Sequence, residues 1–281
     1  MAEEASSLQL NNRERKSDGP ARNIRLTLEF DGTAYQGWQV QAAGRTVQGE
    51  LEEAVFKVTG ERLRVTGCSR TDAGVHARNF TANFYTSSSV PPERFHYPLN
   101  NALPEDIRVK GSIETEAAFH SRRSALAKTY VYRFVNGDHS PAIGRQYLTL
   151  VKGRLDDRLM QEAVQLFPGT HDFRAFMSLG SSAQTTVRTI YQASLKIEGA
   201  LYELRLTGDG FLYNMVRIIA GTLIQLGHGS RSLQDVRDAL TAGDRLKAGK
   251  VAQARGLILE EVFYEEADLQ RSLDQGGPVS K

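Results

Sequence analysis

Cys68 is the only cysteine in the chain, so an internal disulfide is impossible and metal sites built on several thiolates are excluded. The six histidines are scattered and form no His-x-x-x-His pair, so no zinc site is expected. Long apolar runs are missing as well. The longest, around Phe211 to Leu226, is interrupted by Asn214, Arg217 and Gln225, which excludes a membrane-spanning helix. Residues 1–21 hold no apolar segment of the kind a secretory signal needs, and a cytoplasmic location is expected. A net charge of +2 does not by itself argue for a nucleic-acid partner; that case rests on where the cations stand. There is no Gly-x-Gly-x-x-Gly fingerprint and no nucleophile elbow, so neither a nucleotide cofactor nor serine-hydrolase chemistry is indicated. Gly243 to Lys250 imitates a phosphate loop. Its spacing is one residue too long, Val251 stands where Ser or Thr is required, and it follows a helical pattern rather than a strand.

What is present is enough chain for two domains of ordinary size, at 281 residues. Ile24, Leu26, Leu28 and Phe30 alternate with polar residues and predict a strand that ends at Asp31-Gly32. A loop from Thr33 to Arg45 follows, then a helix capped by Thr46 with Val47, Leu51, Ala54, Val55 and Val58 on its apolar face. Leu63, Val65 and Thr66, and later Phe80, Ala82 and Phe84, predict extended segments; a short strand is expected at Ile107 and Val109. In the second half, Tyr130, Tyr132 and Phe134 share one face of a strand. A helix is expected from Asp156 to Phe167, and Leu195 to Thr207 reads as a hairpin turning at Glu198-Gly199-Ala200. A long helix carries Leu212, Met215, Val216, Ile219, Leu223 and Leu226, Ser232 opens a capping box, and Leu257 to Phe263 predicts a final strand. The expectation is an α+β protein of two similar α/β domains with mixed or antiparallel sheets, side by side, with an active-site cleft between them. The boundaries read as a disordered tail over 1–21, one domain over 22–118, a second over 119–264, and a polar tail over 265–281.

The stretch with most chemistry is Cys68-Ser69-Arg70-Thr71-Asp72-Ala73-Gly74-Val75-His76-Ala77, a short connection between extended segments holding a carboxylate, a guanidinium and hydroxyls. Residue types alone allow a plain turn in which Asp72 bonds its own backbone. Phe119-His120-Ser121-Arg122-Arg123, continued by Lys128, Tyr130, Tyr132 and Arg133, carries four cations and no acid over fifteen residues, interleaved with aromatics. Cations bind phosphates and rings stack on unpaired bases, but a core strand with solvated charges has the same composition. Asn214, Arg217, Gly221 and Gln225 form one polar stripe at helical spacing, which is either a solvated face or one turned into a cleft. In a cleft Arg217 requires a carboxylate partner, and Asp72 is the candidate. A cleft hydrolase using Asp72 with His76 or His171, and a non-catalytic RNA-binding module, are the competing functions.

The string Arg70-Thr71-Asp72-Ala73-Gly74-Val75-His76-Ala77 resembles the active-site signature of the TruA-type tRNA pseudouridine synthases. The similarity extends from about Ile24 to Phe263. It includes Asp31-Gly32-Thr33, Tyr35-Gln36-Gly37-Trp38-Gln39 with Gln41, Thr46 to Glu52, and Leu103-Pro104. It continues through Phe119-His120 with Arg122, Lys128 to Tyr132, Gly210-Phe211-Leu212 and Met215-Val216-Arg217. One departure is Gln253, where the family usually has proline. The resemblance implies an isomerase that forms pseudouridine at positions 38, 39 and 40 of the tRNA anticodon stem-loop, with Asp72 as nucleophile on a base flipped from its stack. It further implies that Arg217 pairs with Asp72, that Tyr130 packs on the flipped uracil, and that Arg70 fills the vacated place. Phe119, His120, Ser121, Arg122 and Arg123 would then lie along the RNA. It implies no cofactor and no metal, tRNA as partner, and a homodimer.

Overall fold

The computed structural model describes residues 21–180 and 183–275. The expectation of disorder over 1–21 therefore lies, apart from Ala21, outside the described residues. In chain order the elements are β1 (Arg22–Phe30), α1 (Val47–Thr59), β2 (Thr66–Gly67), β3 (His76–Thr86), α2 (His96–Ala102) and β4 (Ile107–Thr115). Then come β5 (Ala127–Asn136), β6 (Thr149–Val151), α3 (Asp157–Val164), β7 (Gly169–Asp172), β8 (Val187–Glu198) and β9 (Leu201–Gly208). The chain continues with α4 (Met215–Gly227), α5 (Leu233–Thr241), β10 (Leu257–Phe263) and α6 (Glu266–Gln275).

Alternation along β1 puts Ile24, Leu26, Leu28 and Phe30 on one face, opposite Phe84, Ala82 and Phe80 of β3. These side chains share a continuous core with Val47, Leu51, Ala54 and Val55 of α1. The helix starts where Thr46 Oγ1 accepts from the Gly49 amide and ends at Gly60, whose φ of +76° suits a residue without a side chain. In the second half Phe134 stacks on Tyr202 at 4.6 Å, and this layer is buried together with Met160 of α3 and Ile219 and Leu223 of α4. Ser232 and Asp235 complete the expected capping box at the start of α5.

The strands make one mixed sheet in the order β4-β1-β3-β10-β5-β9-β8-β7, with β2 on β3 and β6 on β5. Most pairs are antiparallel; β10 runs parallel to β3, and β6 parallel to β5. The α+β class with a mixed sheet is as expected from the periodicities. What the sequence did not indicate is the position of β10. The last strand enters between the halves, setting Ile258 opposite His76 on one side and Leu259 opposite Tyr130 on the other. Through β10, the end of the loop 68–75 and the start of β5 are held two strands apart.

Several boundaries differ from the periodic reading. β4 runs for nine residues rather than a short pair, and the proline-containing stretch before it holds α2. α3 stops at Val164 instead of continuing to Phe167. α4 begins at Met215, three residues after Leu212, because Asn214 takes a left-handed conformation with φ of +63°. Residues 266–275, read as part of a polar tail, are the helix α6: Leu269 and Leu273 fall four apart on its half-buried side. Among the described residues no helix is long and apolar enough to cross a membrane.

Candidate active site

The loop carrying Asp72 is clamped by the loop that follows β1. Trp38 donates its amide to the Thr71 carbonyl at 3.1 Å, and Gly74 donates to the Tyr35 carbonyl at 3.2 Å. Gly37 has φ of +92°, and a Cβ there would lie 2.2 Å from the Thr71 oxygen, so only glycine allows this approach. The Trp38 ring stacks on Phe80 of β3 at 4.3 Å. Val75 donates to the Asp72 carbonyl at 3.1 Å, so the turn is real, but its side chain is engaged elsewhere. Two loops distant in sequence thus fix one carboxylate.

That carboxylate meets Arg217 of α4. Arg217 Nη1 donates to Asp72 Oδ2 at 3.0 Å and to Asn214 Oδ1 at 2.7 Å, while Nε donates to the Ala252 carbonyl at 2.8 Å. The two charged side chains are 25% and 16% exposed, half-sheltered but reachable. Asn214 is itself tied down by Ser178 Oγ, which accepts from its Nδ2 at 2.9 Å. Asparagine tolerates the left-handed conformation that turns its amide toward Arg217. The polar stripe of α4 is therefore not a solvated face. The segment 249–252 lies across it: Gly249 donates its amide to Thr222 Oγ1 at 2.7 Å, and a Cβ on Gly221 would come 1.9 Å from the Lys250 carbonyl oxygen. The stretch that imitates a phosphate loop is thus packing material for α4. Gln253, beside it, keeps φ of −62°, the angle proline would impose, and its carbonyl accepts from the Tyr132 hydroxyl at 2.9 Å.

Tyr130 on β5 is buried, with Phe211 edge-on to its ring at 5.0 Å. Its hydroxyl lies 3.0 Å from Ser69 Oγ. Burial pushes the Tyr130 phenol well above its ordinary pKa, and the Asp72 charge adds to this while the Ser69 hydrogen bond opposes it. Asp72 of the loop before β3 and Arg217 of α4 are in contact, and the Asp72 charge reaches Tyr130 of β5. Arg70, on the same loop as Asp72, is exposed.

Cations stand on the segment that leads into β5. Arg122 and Arg123 are exposed, and among the described residues no ion pair engages them. Lys128 has its pKa lowered, chiefly by burial, with the charges of Arg122 and Arg188 acting in the same direction. Their neighbours are placed differently. Ser121 is fully buried, which corrects its expected place on the RNA side: its hydroxyl donates to the Thr66 carbonyl at 2.8 Å and its carbonyl accepts from Tyr264 at 2.6 Å. Phe119 packs against Tyr264 at 5.0 Å beneath the guanidinium of Arg25. His120 Nδ1 accepts from the Arg122 amide at 3.1 Å and so shapes the turn that presents the arginines.

His76 and His171 are committed elsewhere. His76 Nδ1 accepts from the Gly32 amide at 3.0 Å and Nε2 lies 3.1 Å from the Gln146 carbonyl oxygen; His171 Nε2 lies 3.1 Å from that of Pro168. Neither is given to Asp72 as a base. Among the described residues no three His, Cys, Asp or Glu side chains gather as metal ligands. Cys68 is buried, and its thiol is pushed up to about 11 by that burial. Concavities of about 530 and 320 Å³ lie beside α1 and over the β1–β3–β4 edge, and neither includes Asp72. Ser69, Phe211 and Asn214 were not singled out from the sequence as site residues, although each carried a signal: Ser69 stands in the loop with Asp72, Phe211 in the matched string Gly210-Phe211-Leu212, and Asn214 on the stripe with Arg217.

A family model described as tRNA pseudouridine synthase matches residues 27–122 and 163–265. The chain is 48% identical over 243 residues to the tRNA pseudouridine synthase A of Clostridium kluyveri, covering 86% of this chain and 100% of the relative. It is 49% identical over 243 residues to that of Clostridium botulinum strain Alaska E43, with the same coverage. Among solved structures it is similar to a chain of a Cbf5-Nop10-Gar1 complex at 13% identity and a TM-score of 0.34. That similarity covers 88% of this chain and 59% of the other, and at that level carries no inference.

Proposed function

Since the chain belongs to the tRNA pseudouridine synthase family, and is thus an isomerase acting on tRNA uridine, we propose that Asp72 is its nucleophile and the anticodon stem-loop its target. The observation that carries this reading is the Asp72–Arg217 pair at 3.0 Å, partly exposed, with the Asp72 charge close enough to act on the buried Tyr130 phenol. A carboxylate among phosphate-binding cations weakens RNA affinity, so a pure binder gains nothing from it. A nucleophile, by contrast, needs to be charged, oriented and open to substrate.

In this reading the uridine leaves its stack, at a cost of about a few kcal/mol, before Asp72 reaches it. Arg70, flat and exposed, fills the space left in the helix. Tyr130 faces the flipped uracil, Arg217 holds the attacking oxygen in place, and the bond from N1 to the ribose is exchanged for one from C5. Arg122 and Arg123 grip phosphates, with His120 and Phe119 shaping their turn and Ser121 anchoring it from inside. No oxidation or hydrolysis occurs, so the reaction requires no cofactor. We assign residues 22–118 and 119–264 as the two units that contribute to the cleft, a homodimer as the working form, and the cytoplasm as its location.

The test is pseudouridine formation in unmodified tRNA, read by carbodiimide-dependent primer-extension stops. Wild type is expected to give stops in the anticodon arm and an unchanged tRNA mass. Asp72→Asn is expected to abolish them while tRNA binding stays within about a few-fold, because phosphate contacts lie elsewhere. Substantial turnover by Asp72→Asn removes Asp72 from the nucleophile role.

A further inference from the structure

Ser69 has no part in the reading above, yet it is the partner of the Tyr130 hydroxyl, at 3.0 Å. Tyr130 is 6% exposed, and Phe211 closes off its ring from the side. Ser69 is half-buried, and the next residue, Arg70, is exposed. Ser69 Oγ also approaches the Arg70 carbonyl oxygen at 3.4 Å; donating there leaves its lone pairs turned to the phenol. The order from inside to outside is a buried phenol, a half-buried hydroxyl and the exposed Arg70.

We propose that Ser69 is the relay residue through which Tyr130 passes a proton from C5 of the target base to solvent. The inference rests on the reading that Tyr130 faces the uracil. Once C5 has bonded to the ribose, it still carries its hydrogen, and that hydrogen must leave for the product to form. The C5–H bond breaks and its electron pair restores the C5=C6 double bond. The proton goes to the Tyr130 oxygen, the phenolic proton goes to Ser69 Oγ, and the serine hydroxyl, released from the Arg70 carbonyl, gives its own proton to water. N1, freed from the ribose, takes one proton from water, so no proton is gained or lost overall.

The relay follows from the burial of the tyrosine. A phenol shut away from water stays protonated at neutral pH, so no phenolate is available as a base. Such a group accepts a proton only while giving up its own, and Ser69 is the acceptor within reach. Serine is suited to this because its hydroxyl accepts and donates at once.

The experiment compares wild type, Ser69→Ala and Ser69→Thr on tRNA carrying uridine or 5-deuterouridine, measuring kcat, KM and release of the C5 hydrogen. Ser69→Ala is expected to lower kcat on the order of a hundred-fold, the lower end for loss of a proton-transfer partner, with KM within about two-fold. Its C5 isotope effect is expected to exceed that of wild type, because C5 deprotonation becomes the slow step. Ser69→Thr keeps the hydroxyl and restores both. A serine that merely props the tyrosine ring would shift KM or thermal stability and leave the isotope effect alone. The relay is overturned if Ser69→Ala turns over at the wild-type rate, or slows without a larger isotope effect, or if Ser69→Thr behaves like Ser69→Ala. If wild type itself releases no C5 hydrogen from tRNA, the functional reading fails first, and the two failures are thereby told apart.

Discussion

Arg217→Lys separates charge from geometry at the centre of the site. The guanidinium makes three hydrogen bonds in two directions: Nη1 to Asp72 and Asn214, Nε to the Ala252 carbonyl. A lysine keeps the positive charge but concentrates it at one tip on a flexible stem, so it cannot span the distance from Ala252 to Asp72. With Asp72 still facing a cation, the loss in stability is that of one charge-assisted hydrogen bond, about 1.5–3 kcal/mol. Arg217→Ala is worse, because it leaves a carboxylate that is only 25% exposed without its partner; about 3 kcal/mol is expected, the lower end of the range for a broken buried pair. Catalysis is the more sensitive quantity. Letting the attacking oxygen drift by ~1 Å costs about a hundred-fold in rate. Single-turnover pseudouridine formation with Arg217→Lys is therefore expected to fall on the order of a hundred-fold while tRNA affinity stays near wild type. Thermal unfolding of both variants supplies the stability half. Wild-type single-turnover rates in Arg217→Lys would mean that charge alone suffices and that the three-bond clamp has no catalytic purpose.

Two further outcomes can be measured independently. Arg122 is exposed and, among the described residues, engaged by no ion pair, so Arg122→Ala should weaken tRNA binding and make the slope of log affinity against log salt shallower by about 0.7–0.9 for one lost phosphate contact; an unaltered slope takes Arg122 off the phosphates. His76 has its pKa lowered by burial, which outweighs the opposing charge of Asp31. Between that lowered value and the ordinary 6.5, the unfolded chain binds more protons than the folded one, so stability present above pH 6.5 is lost as pH falls through the window. His76→Gln should flatten the fall of the melting temperature between pH 7 and acidic pH, and parallel curves for the two proteins would exclude His76 as the source.

The sequence by itself determined what depends on neighbours along the chain. Alternation in β1, β3 and β5 and the apolar face of α1 follow from local periods, because burying one face of a strand or helix requires them. The capping box at Ser232 and the bounds of β10 are local in the same sense, and the uninterrupted motif around Asp72 marked the loop where chemistry would sit. Tertiary structure alone decided how distant segments meet. Asp72 and Arg217 are 145 residues apart in sequence, and nothing in either neighbourhood states that distance in space. The α4 stripe had the pattern of a wet face until the 249–252 segment covered it, and Ser121 carried the composition of an RNA contact although three hydrogen bonds hold it inside. β10 entering between β3 and β5 is the same kind of fact. Strand pairing is settled by which edges remain open once everything else has folded, and a period read along the chain holds no information about that.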